Sequence, residues 1–183
     1  MGYSETDYAR MSIEDIIFKL KIIDIALLQD HIEMDIYFIG GAAALLSHYS
    51  ERYTKDIDFI DIGYSAYHGK YLDLLGTQTD ILEFRHTSIA SSYRQRSQCV
   101  FDGTALKGYV LSKEDMIVSK LCRYAPKDQE DIENFILTSN REVLVNTINE
   151  VLKELPNRSP KIQESFISNL KIFCSTYQIE LEG

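Results

Sequence analysis

Cysteine is scarce in this chain, and the three present, Cys99, Cys122 and Cys174, are odd in number and far apart. That spacing excludes a disulfide scaffold and fits reduced, half-buried thiols in a cytoplasmic protein. Histidine is equally thin: His31, His48, His68 and His86 show no metal-ligand spacing, so zinc is not indicated. No apolar stretch approaches a membrane span, because the longest, Ile36 to Leu46, is interrupted by glycine. No basic-then-apolar leader opens the chain, so the expectation is a soluble cytoplasmic protein with no membrane partner. Internal repeats and low-complexity linkers are missing as well. Basic residues are outnumbered, 19 Lys and Arg against 28 Asp and Glu, giving a net charge of −9. Such a balance argues against indiscriminate binding along a nucleic-acid duplex, which relies on many phosphate contacts.

What is present suffices for a real core: 183 residues, 45% of them hydrophobic. Ser12 opens an amphipathic helix with Ile13, Ile16, Ile17, Leu20, Ile23, Leu27 and Leu28 on one face. Asp35 to Ile39 is β-branched and aromatic, as strands are, and Ala42 to Leu46 is a strong helix-forming run. A strand through Ile62, a helix around Ala66 to Leu75 and a strand at Thr79 follow. Gln98 to Phe101 and Leu106 to Leu111 read as strands joined by an Asp102-Gly103 hairpin turn. From Ser112 onward everything reads as helix, with Leu144, Ile148, Val151, Leu152 and Leu155 forming one stripe. Ile162, Phe166, Leu170, Phe173 and Tyr177 form another, after Ser159-Pro160. The expected fold is a small mixed β-sheet flanked by helices over residues 1–111, of the α/β (α+β) class. A helical subdomain over 112–183 packs against it.

The chemistry begins at Ile39-Gly40-Gly41. Without Cβ atoms at a strand-to-helix junction, a ligand can approach the backbone closely. The first helical N–H groups have no internal partner, and the helix dipole favours an anion there. After fourteen intervening residues comes Asp56-Ile57-Asp58. Residues two apart on a strand share a face, so Asp56 and Asp58 point together while Ile57 and Phe59 enter the core. Asp61 has the opposite parity and is read as solvated. Paired carboxylates suit Mg²⁺, a hard ion that keeps water and binds substrate phosphates.

The stretch from about Tyr37 to Phe59 resembles the signature of the nucleotidyltransferase-fold (polymerase-beta-like) superfamily. Within it the chain is most similar to AbiEii-type abortive-infection toxins and related uncharacterised bacterial proteins. Ser119-Lys120-Leu121 and Lys127-Asp128-Gln129-Glu130-Asp131-Ile132 match further motifs, so the resemblance covers roughly Tyr37 to Ile136. It departs at Ala42, where many relatives place a hydroxyl beside the glycine, and in the long gap to Asp56.

The resemblance implies a third carboxylate on a neighbouring strand, and Asp80 is the candidate; by itself Asp80 reads equally as the cap of a strand start. Glu83 falls on the opposite face. From spacing alone Lys120 is the solvated flank of an apolar stripe formed by Met116, Ile117, Leu121 and Tyr124. Asp128, after the helix-breaking Pro126, is a helix N-terminal acid by the same logic. The resemblance instead makes Lys120 a phosphate ligand and Asp128 a catalytic-site acid. It further implies a Mg²⁺-dependent transfer of NMP from a nucleoside triphosphate to an acceptor hydroxyl. The acceptor would be an RNA end, tRNA included, or a protein, and the chain the toxin of a pair with a cognate antitoxin. A catalytically degenerate nucleotide-binding or protein-interaction module of the same fold is the alternative.

Charge distribution adds one observation. Residues 85–127 carry eight basic and three acidic groups in an otherwise acidic chain: Arg85, Arg94, Arg96, Lys107, Lys113, Lys120, Arg123 and Lys127. That block suits a triphosphate or an RNA end, or else balances acids within the protein or on a partner.

Overall fold

Apolar residues at 16, 20, 23 and 27 recur at helical spacing, and in α1 (Ile13–Gln29) those four side chains are fully buried. Ser12 caps the helix in a reciprocal box with Asp15. Leu28, expected on the same face, is 48% exposed, because it lies about 100° from Leu27 around the helix axis. Phe18, Ile22 and Ile25 are also exposed, so α1 is apolar beyond the face it buries.

The computed structural model describes residues 10–49, 53–61, 66–76, 79–83 and 86–181, with the backbone alone at 61, 66 and 79–83. After α1 come β1 (Met34–Ile39), α2 (Gly40–Leu46), β2 (Ile57–Asp61), α3 (Ala66–Leu72) and β3 (Thr79–Glu83). A short 3-10 turn, Asp73–Leu75, separates α3 from β3. Next are α4 (Tyr93–Arg96), β4 (Gln98–Asp102), β5 (Leu106–Val110) and α5 (Lys113–Lys120), then α6 (Pro126–Ile136), α7 (Arg141–Glu154) and α8 (Pro160–Tyr177).

Five strands form one sheet in the order β3-β2-β1-β5-β4. β1 runs parallel to β5 and antiparallel to β2, while β4 and β5 form the hairpin expected at Asp102-Gly103. The turn is fastened from α1: Asp24 accepts the amides of Ala105 and Leu106, each at 2.7 Å, and that of Thr104 at 3.2 Å. One sheet face is core, with Ile36, Phe38, Ile57, Phe59, Leu106 and Val110 fully buried. The other face carries Asp58, in register with Ile39. The architecture is a small mixed sheet with flanking helices and a helical C-terminal part, as in the nucleotidyltransferase fold.

Residues cluster into two compact units: 1–81 with 98–110, and 82–97 with 111–183. In the second, the segment ahead of β4 is tied to the helices by polar contacts. Arg96 grips fully buried Asp115 with two hydrogen bonds, at 2.7 and 2.8 Å. Ser91 and Ser92 donate to Glu154 and Glu150 of α7, and Arg158 donates to the Ile89 carbonyl at 2.7 Å. Ser112 caps α5, which ends at Lys120, short of Tyr124. Pro126, the first residue of α6, holds Ala125 extended, and Tyr124 takes a left-handed φ of 52° to enter the turn. The buried stripes run through Leu144, Ile148 and Val151 of α7, with Leu155 just past its end, and through Phe166, Leu170 and Phe173 of α8, while Leu152, Ile162 and Tyr177, expected on the same stripes, are half-buried. Among the described residues no helix is long and apolar enough to cross a membrane.

Candidate functional site

β1 ends because Gly40 turns left-handed, with φ +64°, directly after extended Ile39. Ala42 to Leu46 are all buried and fix α2 against the body, so the Gly40-Gly41 turn sits at the exit of a central strand. No side chain caps α2. Asp58 stands half-buried on β2 beside this turn. An ideal β-carbon on Gly40 would lie 2.5 Å from Asp58 Oδ2, closer than real β-carbons come to any atom. Glycine at this position therefore meets two independent demands, a left-handed backbone and the carboxylate alongside it.

Asp56, exposed, lies one residue ahead of β2. Its backbone is held by Thr54, whose hydroxyl donates to the Asp56 carbonyl at 2.8 Å and accepts the Asp56 amide at 3.4 Å. The same hydroxyl lies 2.8 Å from where a Gly41 β-carbon would be. Thr54 is anchored in turn by paired backbone bonds with Met11. Thr54 was not among the residues singled out above. The signal for it is a threonine two residues before an aspartate, the spacing of a hydroxyl-closed turn.

Asp80 is the second residue of β3, the neighbour of β2, and its side chain lies outside the described residues, as do those of Asp61 and Glu83. Oxygen donors from Asp56 and Asp58, beside a turn without β-carbons, fit a hard divalent cation such as Mg²⁺. Among the described residues no group of three or more His, Cys, Asp or Glu side chains could hold a metal, so further ligands would come from water, phosphate or Asp80.

Lys120 and Asp128 lie together in the second compact unit. The Lys120 ammonium is 2.7 Å from Asp131 and 3.6 Å from Asp128, with 11% of its side chain exposed. Arg123 clasps Asp128 through two nitrogens at 2.6 and 2.7 Å, and the Ala125 amide donates to the same carboxylate at 3.0 Å. Burial works to raise the Asp128 pKa, but Arg123, Lys120 and the amide outweigh it and hold the carboxyl below its ordinary range. The site residues thus fall into two sets. Gly40, Gly41, Asp56 and Asp58 share one neighbourhood; Lys120 and Asp128 form an ion-paired cluster of their own.

Four of the eight residues of the basic block pair with acids. Arg96 pairs with Asp115, Lys107 with Asp102, Lys120 with Asp131 and Arg123 with Asp128. Arg94 lies over the Tyr93 ring at 5.8 Å, and Arg85 lies outside the described residues. All three cysteines are free thiols, and Cys99 is exposed rather than half-buried.

No curated relative and no solved structure matches the chain. A family model described as "nucleotidyltransferase of unknown function (DUF6036)" matches residues 18–178, a span that takes in the glycine turn, both aspartates and the Lys120 cluster. The chain belongs to that nucleotidyltransferase family.

Proposed function

We propose that this protein moves a nucleoside monophosphate from a nucleoside triphosphate to an acceptor hydroxyl, with Mg²⁺ as the metal. The observation that carries the reading is the closeness of the Gly40 turn to the Asp58 carboxylate, in a chain of a nucleotidyltransferase family. A triphosphate approaching the β-carbon-free turn meets backbone amides on one side and carboxylates on the other. Asp56 and Asp58 would hold the metal, with Asp80 as a third ligand or as the base that takes the acceptor's proton. Bound there, the metal would neutralise charge developing on the phosphates. Gly40 and Gly41 would hold phosphate oxygens, Lys120 would supply a cation to the triphosphate, and Asp128 would complete the catalytic set by fixing Lys120 and Arg123. In line with the likeness to AbiEii-type toxins, the acceptor is an RNA 3′ end, such as that of tRNA, or a hydroxyl of a partner protein. In that setting the chain is the cytoplasmic toxin of a pair and is held by its antitoxin.

A second reading, a degenerate member that binds nucleotide or a partner without turnover, is favoured by one observation. The Lys120 ammonium is already 2.7 Å from Asp131.

The test is transfer from α-phosphate-labelled nucleoside triphosphates, one at a time, with Mg²⁺ and total bacterial RNA and protein. Wild type is compared with the Asp56→Ala/Asp58→Ala double variant. Label entering RNA or protein with wild type alone supports the transferase. Tight binding of Mg·NTP without transfer supports the degenerate nucleotide-binding reading, and failure to bind any of the four nucleotides at millimolar concentration overturns the transferase and leaves only the partner-binding form of the second reading.

A further inference from the structure

The sheet face that carries Asp58 also carries an aromatic stack. Tyr37 on β1 and Tyr109 on β5 are in register, their ring centroids 4.9 Å apart and their planes within 13°. That separation equals the spacing between neighbouring strands, so the two rings stand side by side on the sheet and face each other. Tyr37 is buried, 7% exposed, and Tyr109 half-buried. One face of the Tyr109 ring is taken by Tyr37; the other is turned toward β4.

The residue in register on β4 is Cys99, a small and exposed side chain. The stack therefore has an open end, one strand spacing wide, at the edge of the sheet. A bulge in β4 between Cys99 and Phe101 displaces the edge strand at this point. Around the opening Asp35, Lys107 and Asp102 are exposed on the same face, with Lys107 in register with Asp35 and 3.7 Å from Asp102.

We propose that the outer face of Tyr109 is a stacking subsite for a base of a single-stranded nucleic-acid acceptor. The inference rests on the transferase reading and names its acceptor class. A flat neutral ring fits an opening whose width and orientation repeat the Tyr37–Tyr109 spacing. Lys107 on the same face is paired with Asp102 at 3.7 Å, so the occupant is selected by the flatness of the opening and not by charge. From Asp58 the subsite is three strand spacings across and one residue pair along, roughly 15 Å. That distance suits a base of the acceptor strand upstream of its reacting end, and is too long for the base of the nucleotide whose phosphate lies at Asp58. Because Lys107 is flanked by acids, affinity at the subsite comes from stacking and depends weakly on salt.

The experiment is fluorescence anisotropy of a short labelled single-stranded RNA, repeated with DNA of the same sequence, against the full chain. Variants are Tyr109→Ala, which removes the ring, Tyr109→Phe, which keeps it, and Cys99→Phe, which fills the opening from an exposed position. Binding weakens about tenfold or more in Tyr109→Ala and Cys99→Phe and is retained in Tyr109→Phe. Equal affinity in all four proteins overturns the subsite. So does no binding by wild type, or competition by an arginine-rich peptide that Cys99→Phe abolishes while RNA binding is unchanged. Transfer of labelled nucleotide by the wild-type protein, assayed alongside, separates the two readings: RNA binding that depends on the Tyr109 ring in a protein that transfers no label keeps the subsite and overturns the transferase.

Discussion

Oδ2 of Asp58 lies 2.5 Å from the point where a β-carbon on Gly40 would stand, so strand β2 and the turn after β1 leave no room between them for a side chain. Ile39 and Asp58 are register partners, which fixes that approach through the backbone of the sheet rather than through side-chain packing. Gly40→Ala has to displace the carboxylate and adopt a left-handed φ of 64° with a β-carbon. The backbone conformation alone costs about 1–2 kcal/mol. The expected outcome is a lowered denaturant midpoint together with lost Mg·NTP affinity. A variant matching wild type in both measurements sinks the reading of this turn.

Thr54 links the other glycine to the other aspartate. Thr54→Val keeps the β-branched shape and the backbone pairing with Met11, and removes only the hydroxyl that holds Asp56 at 2.8 Å. Loss of that hydrogen bond costs roughly 1 kcal/mol of stability. Metal-dependent nucleotide binding should fall further than stability does, because Asp56 loses its fixed direction. Thr54→Ser restores both. Calorimetric titration of Mg·NTP and urea unfolding, run on the same three proteins, separate the effects, and equal nucleotide affinity in Thr54→Val and wild type would remove Thr54 from the site.

Much of this geometry could be read from the chain, and the reason is locality. The diglycine junction, the burial of Ile57 and Phe59 on either side of half-buried Asp58, and the hairpin at Asp102-Gly103 depend on residues within a few positions of one another; Asp56, expected on the strand with Asp58, lies one residue ahead of it. Thr54 was legible in principle, two residues from Asp56. What could not be read depends on separation in sequence. Arg96 and Asp115 lie 19 residues apart and Ile89 and Arg158 lie 69 apart, so no periodicity announces their contacts. The basic block suited a ligand surface and an internal balance of acids alike, because sequence counts charges without showing their partners; Asp115, Asp128 and Asp131 pair with three of its eight members. Likewise the alternation of Tyr37 and Tyr109 is visible along each strand, while their stacking is a property of sheet order.

The Arg96–Asp115 pair tests how the segment ahead of β4 is held. Asp115 is fully buried; its carboxylate accepts both guanidinium hydrogen bonds and one from the Ser112 hydroxyl, and its own amide donates to that hydroxyl in the helix cap. Asp115→Ala leaves Arg96 with Ser92 and Glu150 as neighbours, the latter at 3.6 Å. Arg96 is part-exposed and keeps Glu150, so the cost is that of lost hydrogen bonds to a charged group, roughly 1.5–3 kcal/mol. Urea unfolding should report that loss, with Arg96→Lys losing part of it because an ammonium cannot make the forked contact. A cost near zero for Asp115→Ala would show that the segment is held by packing alone.

Asp128 gives a pH signature with a defined sign. Its carboxyl sits below the ordinary carboxylate range: burial alone would raise it, and the Arg123 hydrogen bonds, Lys120 and the Ala125 amide more than reverse that effect. A carboxylate depressed in the folded state stabilises the fold fully at any pH above its unfolded value, about 3.9. The contribution is lost as pH falls through the lower folded value. Asp128→Asn should therefore be less stable than wild type at pH 7 by roughly 1.5–3 kcal/mol, the worth of hydrogen bonds to a charged group. The gap should be unchanged at pH 5 and should close only below about pH 4. Urea midpoints of both proteins across that range decide the matter: a gap that closes between pH 7 and pH 5 would mean that Asp128 is not held ionised by Arg123 and Lys120. The same pair then serves the site, since a Mg·NTP affinity that falls in Asp128→Asn more steeply than stability does would place this cluster at the triphosphate.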